Sequence, residues 1–211
     1  MTYPQKRMFL TSSFADVAEL FLTFTEGKCA GKTVTFIPTA SIVEEVRFYV
    51  PAGRAALEKL GLTIDELEIS TASKEEIEHK LQKNDYIYIT GGNTFFLLQE
   101  LKRTGADRLI IEQISLGKVY IGESAGSIVM SRNIDYVKEM DDAALAPDLA
   151  AFSSLGMVDF YPVPHHTNFP FKEAVESIIS EFSGELDLCP ISNQQVIVVY
   201  DDEFKVCSAE A

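Results

Sequence analysis

Hydrophobic residues in this chain fall into short runs that alternate with longer amphipathic segments. Runs rich in β-branched and aromatic residues predict strands, and they occupy positions 7–11, 33–38, 65–69, 86–90, 119–122, 158–163 and 196–200. Between most of them apolar residues recur at helical spacing, which predicts helices at 16–25, 42–59 (interrupted by Pro51), 74–82, 94–101, 107–116 and 173–182. The pattern is therefore a repeated alternation of strand and helix.

This alternation predicts an α/β fold: a doubly wound, mostly parallel sheet with helices on both faces. In such sheets ligands bind at the carboxyl ends of the strands. Three short polar or glycine-containing motifs directly follow predicted strands, namely Thr39-Ala40-Ser41, Gly91-Gly92-Asn93 and Gly122-Glu123-Ser124. We expect the functional site where these motifs meet.

Composition and charge narrow the possible partners. The chain has 211 residues, 46% of them hydrophobic, and no linker or internal repeat divides it, so one domain over residues 1–211 is expected. A net charge of −14 repels phosphate backbones and anionic membranes, which argues against nucleic-acid and membrane partners. We expect a cytoplasmic protein, because no apolar stretch is long enough for a signal peptide or a membrane span. We also expect a monomer or a small homo-oligomer. The three cysteines suggest neither a disulfide framework nor a zinc site.

The segment Gly122-Glu-Ser124-Ala-Gly126 carries the clearest chemical signal. It forms a G-x-S-x-G motif between an apolar strand and an apolar helix start, which is the setting of a nucleophilic serine on a tight turn. A serine needs an adjacent base, usually a histidine that a carboxylate orients. Ser124 is therefore the candidate nucleophile.

The candidate base is His165 or His166, because these two residues follow the predicted strand at 158–163. The remaining histidine, His79, lies in a charged helical pattern typical of a solvated surface. The acid is expected in the stretch 135–142, which contains Asp135, Glu139, Asp141 and Asp142.

The glycine motif at 91–92 is a candidate oxyanion-binding loop. Its backbone amides could act with the amide of Ala125, the residue after the candidate nucleophile. The alternative is an ordinary glycine turn in which Asn93 or Thr94 caps the next helix.

Three motifs together resemble the dipeptidase E (aspartyl dipeptidase) family of serine peptidases, which includes cyanophycinase-like enzymes. They are Gly91-Gly-Asn-Thr-Phe95, Gly122-Glu-Ser-Ala-Gly126 and Pro164-His-His-Thr-Asn168, in the family's order. The resemblance implies a fold similar to class I glutamine amidotransferases, a Ser-His-acid triad, and no metal or cofactor. It matches Ser124 to the nucleophile, His165 to the base, and Gly92 and Ala125 to the oxyanion donors.

The resemblance also guides the remaining site residues. Glu139 is the ungapped match to the family's acid, and Asp141 is its close rival. Asn93, Thr94 and Asn168 are expected to contact a short peptide substrate. Selectivity for aspartate is not expected to carry over, because no arginine follows Arg132 in this chain.

Other functions share parts of these motifs. An α/β esterase or acyl hydrolase also uses G-x-S-x-G, but its histidine usually lies much further downstream. A glutaminase would have cysteine at position 124, where this chain has Ser124. A catalytically idle binding domain of the same fold is the non-enzymatic alternative.

Overall fold

The predicted apolar runs form the centre of one seven-stranded sheet. The computed structural model of the chain describes residues 5–209. In sheet order the strands are β3 (Thr63–Glu66), β2 (Thr33–Ile37), β4 (Tyr86–Ile89), β5 (Val119–Glu123), β1 (Arg7–Thr11), β8 (Gln195–Tyr200) and β9 (Glu203–Ser208). The first five are parallel, whereas β8 is antiparallel to β1 and β9 is antiparallel to β8.

Helices cover both faces of this sheet. They are α1 (Phe14–Phe24), α2 (Tyr49–Lys59), α3 (Lys74–Lys83), α4 (Thr94–Thr104), α5 (Ala106–Ser115), α6 (Ala125–Ile128) and α7 (Lys172–Phe182). Alternate strand residues point to opposite faces, so Met8 joins the core beneath α3, α4 and α5, while Phe9 joins the core beneath α1 and α2. The mostly parallel, two-faced α/β arrangement is the one that the sequence pattern predicts. Within residues 5–209 no helix has the length and hydrophobicity that crossing a membrane requires.

The observed elements differ from the predicted ones in two places that shape the site. Helix α2 begins at Tyr49 rather than at residue 42. Pro51 then lies in its first turn, where proline is tolerated because the missing N–H would have no helical partner. Residues 42–48 form a loop above the strand ends instead.

The strand predicted at 158–163 does not join the main sheet. Only Tyr161–Val163 is extended, as β6, and it pairs in parallel with an unexpected short strand, β7 (Leu188–Pro190). The place beside β1 is occupied by β8, which pairs along the full length of β1. Because β6 and β7 are parallel, the loop that follows β6 and the loop that follows β7 lie at the same end of this small second sheet.

The carboxyl ends of the central strands coincide. In the register of the sheet Gly122 lies beside both Leu10 and Ile89, and Glu123 lies beside Thr11. The segments that follow β1, β4 and β5 therefore meet at one edge of the sheet, where the candidate site was expected.

Candidate active site

Ser124 occupies a tight turn between β5 and α6. Its backbone has φ 48° and ψ −107°, and a positive φ at a residue other than glycine costs on the order of 1–3 kcal/mol. The backbone N–H of Ser124 donates to the carbonyl of Thr11 at 2.9 Å, which helps to hold the turn. Between Val119 and Ser131 only Ser124 is not fully buried, so its hydroxyl is the group that this turn presents to solvent.

The two flanking glycines are required by close backbone contacts. A Cβ atom on Gly122 would lie 2.6 Å from the carbonyl oxygen of Gly126, and one on Gly126 would lie 2.4 Å from the carbonyl oxygen of Ile89. Neither position can hold a side chain without moving the backbone. The G-x-S-x-G spacing is thus a packing requirement of this turn.

His165 reaches Ser124 from the loop after β6. Its Nε2 atom lies 2.9 Å from the Ser124 Oγ atom, and its ring stacks on Phe171 with centroids 4.7 Å apart. The backbone N–H of His165 donates to the hydroxyl of Ser12 at 3.0 Å. His166 faces elsewhere, with its Nε2 atom 3.9 Å from a carboxylate oxygen of Glu176.

The second ring nitrogen of His165 contacts an amide rather than a carboxylate. Its Nδ1 atom lies 2.9 Å from the Oδ1 atom of Asn193, in the loop between β7 and β8. The backbone N–H of Asn193 donates to the Oδ1 atom of Asn168 at 2.9 Å. The structure therefore brings Ser124, His165 and Asn193 into one hydrogen-bonded row.

This arrangement corrects the sequence-based choice of Glu139 or Asp141 as the partner of the histidine. Glu139 is exposed in a turn, and Asp141 accepts the backbone N–H of Thr94 at 2.9 Å. The segment that carries both residues packs against the start of α4, whereas the pairing of β6 with β7 brings the 190–193 loop to His165.

Burial contradicts the expectation that the side chains of Asn93 and Thr94 contact substrate, whereas the same expectation for the half-buried Asn168 stays a prediction. Asn93 caps α4, since its Oδ1 atom accepts the backbone N–H of Phe96 at 2.9 Å. Asn93 and Thr94 are both buried, at 1% and 0% exposure. Asn168 supports the backbone of Asn193. All three residues stabilise the loops around the site.

The loop after β4 passes directly beside Ser124. A Cβ atom on Gly91 would lie 3.2 Å from the Cβ of Ser124, and one on Gly92 (φ 131°) would lie 2.2 Å from the carbonyl oxygen of Ala40. Only glycine fits at position 92. The backbone N–H groups of Gly92 and Ala125 donate to no other group within residues 5–209, so two donors remain available near the hydroxyl.

Burial changes the proton affinities of several groups here. Desolvation lowers the pKa of His165 below its usual 6.5, partly offset by its contact with Asn193. Desolvation raises the pKa of Asp141 to about 6 and that of the buried Glu123 to about 7. It also raises the pKa of Tyr49, to which the nearby Glu44 adds. His165 is therefore neutral, and able to accept a proton, at neutral pH.

Sequence reasoning missed Asn193. Asn193 does follow a short apolar run, 188–191, but a search for a carboxylate between the serine and the histidine passes over it. A search of every polar residue that follows an apolar run would have included it.

Comparisons with known proteins identify the family of this chain. The family model described as peptidase family S51 matches residues 8–207. The chain is 57% identical over 198 residues to an uncharacterized peptidase, Lmo0363, of Listeria monocytogenes, covering 94% of this chain and 96% of that protein. It is 29% identical over 170 residues to the peptidase E of a Nostoc species, covering 77% of this chain and 66% of that protein.

Solved structures show the same fold. The crystal structure of a candidate peptidase E protein from Listeria monocytogenes superposes with a TM-score of 0.93 at 54% identity, covering 98% of this chain and all of that one. A peptidase from an acI-B1 actinobacterium superposes with a TM-score of 0.70 at 20% identity, over 98% of this chain and 88% of that one, and shows the fold alone. The fold is that of peptidase E, similar to class I glutamine amidotransferases, and the chain belongs to peptidase family S51.

Proposed function

We propose that the protein is a serine-type exopeptidase that hydrolyses short peptides through an acyl-enzyme on Ser124. The observation that carries this proposal is the 2.9 Å contact between Ser124 Oγ and His165 Nε2. This is the hydrogen-bond distance that proton transfer to a general base requires. It supports covalent catalysis within a family whose members are peptidases.

Acylation begins with attack of Ser124 Oγ on the scissile carbonyl carbon while His165 Nε2 takes the hydroxyl proton. The carbonyl oxygen becomes an oxyanion, for which the N–H groups of Gly92 and Ala125 are the candidate donors. The C–N bond then breaks as His165 returns the proton to the leaving amine. Water, deprotonated by the same histidine, hydrolyses the ester and restores Ser124.

Asn193 has a defined part in this sequence. Its Oδ1 atom accepts a hydrogen bond from the Nδ1–H group of His165, which favours the tautomer with Nε2 unprotonated and directed at Ser124. The carboxamide carries no charge, so it orients the imidazole without the electrostatic stabilisation that a carboxylate gives to the imidazolium. We therefore expect a functional but slower hydrolase than one with aspartate or glutamate at this position.

The charges around the site support a substrate without an acidic first residue. Two arginines are paired with carboxylates, Arg54 with Glu66 and Arg132 with Asp159, and Arg47 donates to the backbone carbonyls of its own loop.

Carboxylates outnumber cations around Tyr49, because Glu44, Glu123 and Asp141 act to raise its pKa whereas Arg47 acts to lower it. The ring of Tyr49 lies 3.7 Å from a Cβ built on Gly91, and the carboxylates of Glu44 and Asp141 both act on the pKa of Tyr49. An acidic group that approached Ser124 past this tyrosine would meet like charge.

A matched set of dipeptides tests this proposal. Hydrolysis of Ala-Leu, Lys-Leu, Asp-Leu and N-acetyl-Ala-Leu is followed by the release of leucine. We expect cleavage of Ala-Leu and Lys-Leu, weaker cleavage of Asp-Leu, and none of the acetylated peptide. Preferred cleavage of Asp-Leu would contradict the charge argument. Equal cleavage of the acetylated peptide would contradict exopeptidase action.

A further inference from the structure

Glu123 is a buried carboxylate that the proposed catalytic steps do not use. It is 2% exposed and precedes Ser124 directly. Its Oε1 atom accepts the backbone N–H of Phe14 at 3.0 Å, at the start of α1. Its Oε2 atom accepts the hydroxyl of Tyr88 at 2.9 Å and the backbone N–H of Gly91 at 3.4 Å.

These three contacts join the elements that meet at the strand ends. Phe14 begins α1, Tyr88 lies in β4, and Gly91 belongs to the loop that passes beside Ser124. The loop contact is the longest of the three, so it is the first to be lost when the acceptor weakens. Glu123 is therefore the side chain that ties the backbone of Gly91 to the residue before Ser124, while Thr90 and Asn93 hold the two ends of the loop.

We propose that Glu123 is a positioning residue that fixes the Gly91–Gly92 loop beside Ser124 in its ionised form and releases the loop when it is protonated. This inference rests on the proposed function, because it assigns the loop its role in stabilising charge at the reacting carbonyl. Glu123 touches neither substrate nor Ser124 Oγ, and it acts through Gly91.

The hydrogen-bond inventory explains the dependence on ionisation. All three partners of Glu123 are donors, and an ionised carboxylate can accept from all of them. The proton is expected on Oε2, because the Tyr88 hydroxyl is the one partner that can rotate to accept it. The protonated oxygen is a much weaker acceptor, so its long contact with the N–H of Gly91 is weakened.

The surroundings of Glu123 place this change near neutral pH. The titratable groups that face it are Tyr88 from β4, Asp16 from α1 and Tyr49 from the start of α2. Desolvation, to which the charge of Asp16 adds, raises the pKa of Glu123 to about 7, against the opposing effect of its three donors. Burial lowers the pKa of His165, which is the opposite direction to the shift of Glu123.

The test measures how fast a fluorophosphonate labels Ser124 as a function of pH, because phosphonylation requires the serine, its base and the oxyanion donors but no peptide specificity. Four proteins are compared: wild type, Glu123→Gln, Tyr88→Phe and Glu100→Gln. Glu100 is also buried, at 5% exposure, but its partners are Gln99 and Arg103, away from Ser124. Circular dichroism confirms that each variant is folded.

For the wild type and Glu100→Gln we expect labelling to accelerate as the pH rises through about 7. Glu123→Gln has an amide that resembles the protonated acid, so labelling at alkaline pH falls roughly tenfold and the step near neutrality disappears. Tyr88→Phe keeps the carboxylate but removes a donor that favours its ionised form, so the step moves to higher pH. This second variant still tests the inference if Glu123→Gln fails to fold.

The possible failures are distinguishable. A labelling profile of Glu123→Gln equal to that of the wild type, or an unmoved step in Tyr88→Phe, overturns the role of Glu123 and leaves the proposed function standing. Absence of any labelling of wild-type Ser124 overturns the proposed function and this inference with it.

Discussion

The Nδ1 atom of His165 lies 2.9 Å from the carboxamide oxygen of Asn193. A carboxylate at this position would both orient the ring and stabilise its positive charge, whereas the carboxamide provides only orientation. The loop that carries Asn193 is fixed by Asn168, so the amide is held in place by the fold. Catalysis in this proposal therefore depends on geometry more than on the charge of the third residue.

Replacing Asn193 with alanine should remove the group that fixes the tautomer of His165. We expect a loss of turnover on the order of 10²–10⁴, in line with the loss of an orienting residue in related arrangements. The matched control is Glu139→Gln, since Glu139 is exposed and makes no contact with the histidine. Turnover of Ala-Leu should stay near the wild-type value in this control, and a larger loss there than in Asn193→Ala would refute the assignment.

Replacing Asn193 with aspartate should have the opposite effect. A carboxylate beside Nδ1 favours the imidazolium, so the pKa of His165 rises. In the pH profile of kcat, the rise in activity that comes from deprotonation of His165, the acid limb, therefore moves to higher pH. Turnover above this limb should increase because the transition state carries the same positive charge. The pH profile of kcat for wild type and Asn193→Asp measures both effects, and a limb that moves to lower pH would count against them.

His165 and His166 provide a test within two adjacent positions. His165→Ala should reduce turnover about as much as removal of the Ser124 hydroxyl, because the serine and its base act in one step and the loss of either disables that step. His166→Ala should be mild, since its ring lies toward Glu176. The reverse order of the two measured turnover numbers would show that the wrong imidazole was assigned.

The inner strands of the sheet, β2, β4, β5, β1 and β8, could be predicted from the sequence because they are buried on both faces and form continuous apolar runs. The two short paired strands, β6 and β7, could not be predicted in this way. Each has only three residues, too few to show a period, and their pairing depends on tertiary contacts. β9 is mostly exposed on both faces, so it lacks the apolar run that marked the other strands.

The same distinction applies to the site. A glycine-flanked turn pointed to Ser124, and the segment after a strand pointed to His165 or His166, between which the family resemblance chose His165. Asn193 depends on the pairing of β6 with β7, which brings a distant loop to the histidine. Glu139, the ungapped family match, and its rival Asp141 were misassigned because a match in sequence does not show which loop packs against the histidine.

The buried carboxylate of Glu123 gives a prediction about stability. Its pKa is raised to about 7 in the folded protein from 4.5 in a free side chain, so ionisation costs folding free energy. The stability that Glu123 contributes is complete below pH 4.5, where the side chain is protonated in both the folded and the unfolded state. It falls as the pH rises above this value and is lost once the pH has passed through about 7. Glu123→Gln should therefore gain about 3 kcal/mol relative to wild type across this interval.

Urea unfolding of both proteins at a series of pH values measures this difference. Groups that both proteins share cancel in the comparison. A difference in unfolding free energy that stays constant with pH would mean that Glu123 titrates normally in the folded state.

The most direct test of the proposed mechanism is the hydrolysis of Ala-Leu by wild type and by Ser124→Ala, both shown to be folded by circular dichroism. The Ser124 hydroxyl supplies the covalent step and accepts no hydrogen bond that the turn requires. We predict that the variant keeps its fold and loses turnover by a factor on the order of 10⁴ or more. Retention of wild-type turnover by Ser124→Ala would contradict covalent catalysis at this site.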